Sequence, residues 1–208
     1  MRDRAMPPPS GQLASGRSGR PGRPASGGGT YGKAVRLRRV IVLVAGVAGS
    51  GKSTIGALLA RQLGWEFEDG DDLHSASNIA KMKAGHPLTD EDRRPWLVAV
   101  AAWIDQRTAA GRSGVIACSA LKRSYRDKLL AGRPDLQMVF LEVIDRDTLA
   151  ARLRGRHGHF FRPALLDSQL AAVEMPAPGE RVTVVDDDQP PSDVVREIIR
   201  RLGLERSS

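Results

Sequence analysis

The chain has 208 residues, a formal net charge of +8 and one cysteine, Cys118. A single cysteine excludes an internal disulfide framework, and no apolar run approaches the roughly 18 residues that a membrane-spanning helix needs. The charge is lopsided: residues 1–39 carry nine Lys or Arg and one acidic residue, the other 169 carry 23 of each sign, so the basic pI describes a tail and argues against a nucleic-acid-binding domain.

Residues 1–37 are rich in Gly, Pro, Ser and Arg, from Pro7-Pro8-Pro9 to Gly27-Gly28-Gly29. Too few apolar groups are present to offset the entropy of ordering them, so this stretch is expected to be a disordered basic tail. A solvated tail or over-extended translation start, a polyanion-attracting arm and an organelle presequence all fit the charge. The Pro and Gly density opposes the amphipathic helix that a presequence requires. Residues 38–208 are then a single domain.

That domain starts with RRVIVLVAGVAGSGKST over residues 38–54. An apolar run, 40–45, predicts a buried strand. It stops at a glycine-rich turn in which Gly46, Gly51, Lys52 and Ser53 fill the pattern G-x-x-x-x-G-K-[ST] of a phosphate-binding loop. Glycines let successive backbone N–H groups turn toward one anion, and the helix that follows aims its positive end at the same place. Lys52 can reach the β- and γ-phosphates of a nucleotide and the Ser53 hydroxyl can ligate Mg²⁺.

The spacing predicts a helix over 54–63, stopped by Gly64, then a short alternating strand over 65–68 that runs into Asp69-Gly70-Asp71-Asp72-Leu73-His74. A helix follows over 77–84. Thr89 with Asp92 three residues on resembles a capping box and starts a long helix to about 110, with Pro95 in its first turns. Further along come a strand (114–119), a helix (123–131), a strand (137–144) and a helix (146–154). A basic glycine-containing loop (155–163) leads to a helix (165–174), a last strand (181–185) and a closing helix (192–202).

Strands that are mostly continuous apolar runs and alternate with helices predict an α/β fold, a five-stranded parallel sheet covered on both faces. Ligands of such sheets sit beyond the carboxyl ends of the strands. The glycine-rich loop, 69–74, 119–123 and 186–188 all fall there.

Asp69 and Asp71 alternate with Gly70. In an extended backbone the two carboxylates point the same way while Gly70 lets substrate approach; a solvated acidic turn is the plain alternative. Such carboxylates can hold Mg²⁺ through water or accept the proton of an attacking hydroxyl. His74 follows them as a candidate substrate contact or a structural histidine. Lys122 and Arg123, nearest the third strand, can meet a substrate carboxylate, as can Arg93; Lys128 reads as surface. Arg152, Arg154 and Arg156 flank a loop able to close over ATP, and a solvated face suits Arg152 best and Arg156 least. The third strand ends Ala117-Cys118-Ser119 without the usual metal-side aspartate, so metal would rely on Ser53, the phosphates, water and Asp69. Asp186-Asp187-Asp188 suits the adenine side. Cys118 reads as a packing residue.

Assembled, GVAGSGKST (46–54), DGDDLH (69–74), NIAKMKAGHPLTDEDRRPWL (78–97), CSALKRSYRD (118–127), GHFF (158–161) and LLDSQ (165–169) resemble the gluconokinases. These are ATP-dependent sugar-acid kinases related in fold to shikimate and adenylate kinases. The resemblance covers about residues 40–202 and leaves the tail without a counterpart. It implies a P-loop three-layer fold with a substrate-binding insert at about 72–96 and a lid at about 155–163. It implies transfer of the ATP γ-phosphoryl group to the 6-hydroxyl of D-gluconate, in the cytoplasm, with no membrane or nucleic-acid partner; a homodimer is compatible with it. Gly46, Gly49, Ser50, Gly51, Lys52, Ser53 and Thr54 would bind ATP, with Arg154 and Arg156 from the lid. Ser53 and Asp69 would lie on the Mg²⁺ side. Asp71 would orient the sugar hydroxyl, and His74, Arg93, Lys122 and Arg123 would grip the sugar acid. The rivals are a kinase for another small acid such as shikimate, and a nucleotide-dependent switch or RNA-binding ATPase.

Overall fold

The computed structural model describes residues 39–142, 145–154 and 163–205, and only the backbone of Arg154, Pro163 and Ala164. The expected tail over 1–37 lies outside the described residues, and so does the expected lid apart from the backbone of Pro163.

Among the described residues five strands form one sheet: β1 (Ile41–Ala45), β2 (Glu66–Asp69), β3 (Gly114–Ala117), β4 (Leu136–Glu142) and β5 (Val182–Asp186). Their order is β2-β3-β1-β4-β5 and every pairing is parallel. The helices are α1 (Lys52–Leu63), α2 (Ala76–Lys83), α3 (Asp90–Ala109), α4 (Arg123–Leu130), α5 (Arg146–Arg154), α6 (Pro163–Ala172) and α7 (Pro191–Leu202). A 3₁₀ turn, Gly70–Leu73, joins β2 to α2.

The apolar run of β1 is explained by what lies on each side of it. Side chains alternate between sheet faces. Ile41, Leu43 and Ala45 pack into one core with Trp96, Val100 and Ile104 of α3 and Leu129 of α4. Val40, Val42 and Val44 pack into a second core with Ile55 and Leu59 of α1 and Val194, Val195 and Ile198 of α7. All six residues of the 40–45 run are buried, and each of its five Val, Ile and Leu side chains contributes about 1.5–3 kcal/mol on leaving water. β2, at the sheet edge, is only partly covered, which is why its sequence alternates.

Helix ends follow local chemistry. Gly64 and Gly203 close α1 and α7 in the left-handed conformation. The Thr89 hydroxyl accepts from the Asp92 N–H while the Asp92 carboxylate accepts from the Thr89 N–H, completing the capping box of α3. Arg126 differs from a solvated helix residue. It is fully buried, paired with Glu180, and donates to the carbonyls of Leu121 and Glu174. It therefore ties the segment between α6 and β5 to the start of α4.

Candidate active site

The turn between β1 and α1 is built as the glycine pattern requires. Gly46, Gly49 and Gly51 have φ of 141°, 86° and 79°, values that a side chain disfavours. A Cβ on Gly46 would come within 2.7 Å of Ser50 Oγ. The N-cap of α1 is Gly51, with no side-chain cap and no acidic residue in the first turn, so the helix's opening N–H groups remain available to an anion. Lys52 Nζ donates to the Val47 carbonyl at 2.9 Å, drawing the ammonium back over the loop. Ser50 is buried and its Oγ has no hydrogen-bond partner among the described residues. Ser50 thus leaves one buried polar group of the loop unsatisfied, beside Gly46.

A cavity of about 420 Å³ opens from this loop. Gly49, Ser50, Gly51 and Thr54 line one side, and Arg152, Asp187, Gln189 and Pro191 line the other. The β5–α7 turn thus supplies the far wall, where Asp187 was expected. Arg152 corrects the reading of it as a plain solvated face: its guanidinium donates to Asp187 at 2.6 Å. Its side chain is 38% exposed while that of Asp187 is 6% exposed. Burial pushes the Asp187 carboxyl up, and Arg152 pulls it back. Helical periodicity marks Arg152 as off-core but says nothing of the carboxylate opposite. Arg156 and the Arg154 side chain lie outside the described residues.

On the other side of the loop, the acidic segment is not extended. Asp69 Oδ1 accepts from the Asp71 N–H at 3.1 Å, capping the 3₁₀ turn. Gly70 also has a different purpose from admitting substrate. A Cβ there would sit 2.3 Å from the Ala117 carbonyl oxygen, so glycine is needed for β2 to close on β3. The Gly70 carbonyl accepts from Trp96 Nε1 at 2.6 Å. Asp71 and Asp72 are both exposed and Asp69 is half-buried.

His74 stacks on Trp96 with ring centroids 4.5 Å apart and planes 10° from parallel. Its Nδ1 lies 3.4 Å from Asn78 Nδ2. Burial lowers its pKa, Asp71 opposes that, and Arg93 adds to it. Burial likewise pushes the Cys118 thiol up to about 12, with Asp71 raising it and Lys52 and Arg93 lowering it. Cys118 is thus inert packing. The parallel order β2-β3-β1 sets Lys52, after β1, and Asp71, after β2, at the same carboxyl edge of the sheet as Cys118.

Lys122 and Arg123 are separated by what they bind. Lys122 Nζ meets both Asp90 oxygens, at 2.7 and 2.9 Å, and Tyr125 donates to Asp90 at 2.6 Å. Arg123 is exposed and points along α4 to Asp127 at 3.6 Å. Its backbone N–H is capped by Glu174. Lys122 therefore joins the Asp90–Tyr125 cluster beside Arg93, whose Nε donates to the Leu88 carbonyl, and Arg123 does not. At the strand end, Ala120 holds a φ of 35°, a strained value for a residue with a side chain.

Sequence reasoning missed Gln169 as a site residue. Its Oε1 accepts from the Ala48 N–H at 2.8 Å, so α6 reaches into the phosphate loop. The LLDSQ motif contains it, but nothing local says where α6 docks.

No group of three His, Cys, Asp or Glu able to hold a metal occurs among the described residues. Ser53 and Asp69 supply oxygen donors of the kind Mg²⁺ takes, and Mg²⁺ held by one or two such groups plus phosphates needs no full protein cage. The donor set fits an ion delivered with a nucleotide. No helix among the described residues is long and apolar enough to cross a membrane.

Comparison with known proteins gives the family. Residues 48–203 match the family model described as shikimate kinase. The chain is 44% identical over 169 residues to the gluconokinase of Gluconobacter oxydans, spanning 81% of this chain and 94% of that one. It is 45% identical over 162 residues to the thermoresistant gluconokinase of Escherichia coli, spanning 76% and 91%. Among solved structures, a gluconokinase from Sinorhizobium meliloti superposes with a TM-score of 0.69 at 45% identity, covering 81% of this chain and 94% of that one. The shikimate kinase of Aquifex aeolicus, at 16% identity and a TM-score of 0.53, covers 79% and 96% and shares the fold alone.

Proposed function

The chain belongs to the gluconokinase family within the shikimate-kinase-like P-loop kinases, and from that premise we propose that it transfers the γ-phosphoryl group of ATP to the 6-hydroxyl of D-gluconate. The products are ADP and 6-phospho-D-gluconate. The observation that carries this reading is that the parallel order β2-β3-β1 brings the phosphate loop with Lys52, after β1, and the turn with Asp71, after β2, to the same carboxyl edge of the sheet. A phosphoryl group passing between two substrates needs charges of both kinds around one point.

ATP lies with its phosphates on the 46–54 loop and its base toward Asp187, Gln189 and Pro191. The loop amides and Lys52 hold the β- and γ-phosphates, with the Ser50 hydroxyl as a further donor. Ser53 and Asp69 are the residues that would hold Mg²⁺, which when bound offsets phosphate charge. Asp71 orients the sugar hydroxyl, whose oxygen forms the new bond to phosphorus as the bond to the ADP oxygen breaks; the hydroxyl proton passes to Asp71 or to water. His74, Arg93 and Lys122 grip the sugar acid, the two cations on its carboxylate side. Arg123, exposed and turned to Asp127, joins them only by changing rotamer. Arg154 and Arg156, whose side chains lie outside the described residues, would add phosphate contacts. The same reading sets the enzyme in the cytoplasm, where ATP is at hand.

The test is a purified-enzyme panel of gluconate, shikimate and nucleoside monophosphates with ATP and Mg²⁺. Turnover of gluconate well above the rest is the expected result. Strong activity on another acceptor without gluconate turnover overturns the assignment.

A further inference from the structure

Asn78 is one of few polar residues buried in the domain, 5% exposed at the start of α2. Its Nδ2 donates to the Asp92 backbone carbonyl at 2.7 Å. A carbonyl oxygen only accepts, so this contact fixes which end of the amide is nitrogen. The same Nδ2 lies 3.4 Å from His74 Nδ1. An amide nitrogen has only hydrogens to offer, so His74 must meet it with the lone pair of Nδ1. The ring then carries its proton on Nε2.

We infer that Asn78 is a positioning residue that, with Trp96, holds His74 as the neutral Nε2–H tautomer. The ring is fixed in two ways. Trp96 takes one face by stacking, and its own N–H is anchored on the Gly70 carbonyl. Asn78 takes the Nδ1 edge and is anchored on α3 through Asp92. One donor is left, Nε2–H, for a hydroxyl or carboxylate oxygen of the acceptor. This use of the donor rests on the reading that His74 contacts the sugar acid; the tautomer itself does not.

The charges around the ring act in a definite direction. Asp71 on the 3₁₀ turn favours a second proton, and Arg93 on α3 opposes it. The Asp92 carboxylate is occupied by Lys81 and Thr89. Protonating Nδ1 would also set an N–H against the hydrogens of Asn78. Burial, Arg93 and Asn78 therefore act together to keep the ring neutral at physiological pH.

The experiment is a long-range ¹H–¹⁵N spectrum of imidazole-labelled wild-type enzyme without substrate, followed through pH 5–8. The expected result is a pyridine-like Nδ1 and a pyrrole-like Nε2 at His74, with a midpoint below the usual histidine value. A pyrrole-like Nδ1 at neutral pH overturns the inference. The paired variant is Asn78→Asp, whose carboxylate accepts instead of donating. It should move the proton to Nδ1, raise the His74 midpoint by about one pH unit or more, and shift the acid limb of kcat/KM upward by the same amount. An Asn78→Asp enzyme that folds but leaves the tautomer and the midpoint unchanged also refutes it. If the variant fails to fold, the wild-type spectrum decides alone. If gluconate is not turned over while the Nε2–H tautomer is seen, the function assignment falls and this inference stands.

Discussion

Gln169 Oε1 accepts a 2.8 Å hydrogen bond from the backbone N–H of Ala48, joining α6 to the phosphate loop across 121 residues of sequence. One helix thereby helps to set the shape of a loop it does not belong to. Gln169→Leu removes the acceptor and leaves a part-buried N–H without a partner, at a cost of about 1–3 kcal/mol. The KM for ATP should rise about tenfold with kcat less affected, and thermal unfolding should move down by several degrees. Gln169→Glu keeps an acceptor oxygen and should stay close to wild type. Steady-state kinetics and a melt of both variants check this.

Asp71 and Asp72 are exposed neighbours of equal charge, and Asp71 is the one tied to both ends of the turn, its N–H to the Asp69 carboxylate and its carbonyl to the His74 N–H. Asp71→Asn should lower kcat by about 10²–10⁴, the range for losing a positioned acid–base group. Asp72→Asn should change it only a few-fold. Equal and mild losses in both would show that the acceptor hydroxyl is oriented by another group.

Arg152→Ala leaves the Asp187 carboxyl buried without its cation. Arg152 is over a third exposed, so the loss falls between the roughly 1 kcal/mol of a surface pair and the 3–5 kcal/mol of a fully buried one. Adding Asp187→Asn should recover the lost stability, because the buried charge is gone. It should not recover ATP affinity if Arg152 itself touches the nucleotide across the cavity they share. Melting temperature and ATP titration of the single and double variants separate the two effects.

The capping box of α3 gives a pH dependence of definite sign. Hydrogen bonds from Lys81 and then Thr89 hold the Asp92 carboxyl down to about 2, below its ordinary value. Its contribution is full above the ordinary carboxylate range and is lost as pH falls through about 2. Amide exchange at the first turn of α3 should therefore quicken between pH 4 and pH 2 beyond the intrinsic trend. Asp92→Asn should remove that extra dependence. Thr89→Ala should cost about 1 kcal/mol at neutral pH, measured by denaturant unfolding.

Much of the domain was legible without coordinates, for reasons that act over a few residues. The run at 40–45 announces a strand buried on two faces because nothing in it is fit for water. Gly46, Gly49 and Gly51 announce a loop of positive φ that closes on an anion, and Thr89 with Asp92 announces a helix start. These signals are local sterics and hydrogen bonding, and the 44% identity to a known gluconokinase over most of the chain extends them to an activity.

What the sequence by itself determined, then, was the element order, the phosphate loop and the membership of one kinase family. Only the tertiary structure decided the sheet order β2-β3-β1-β4-β5, the close approach that requires glycine at 70, and the turn of Arg152 onto Asp187. The burial of Arg126 with Glu180, the reach of Gln169 to Ala48 and the clamp on His74 belong to the same group. Each of these joins side chains or backbones from elements far apart in the chain. Periodicity states which face of a helix avoids water, but a hydrogen-bond partner is chosen by where the opposing element comes to rest.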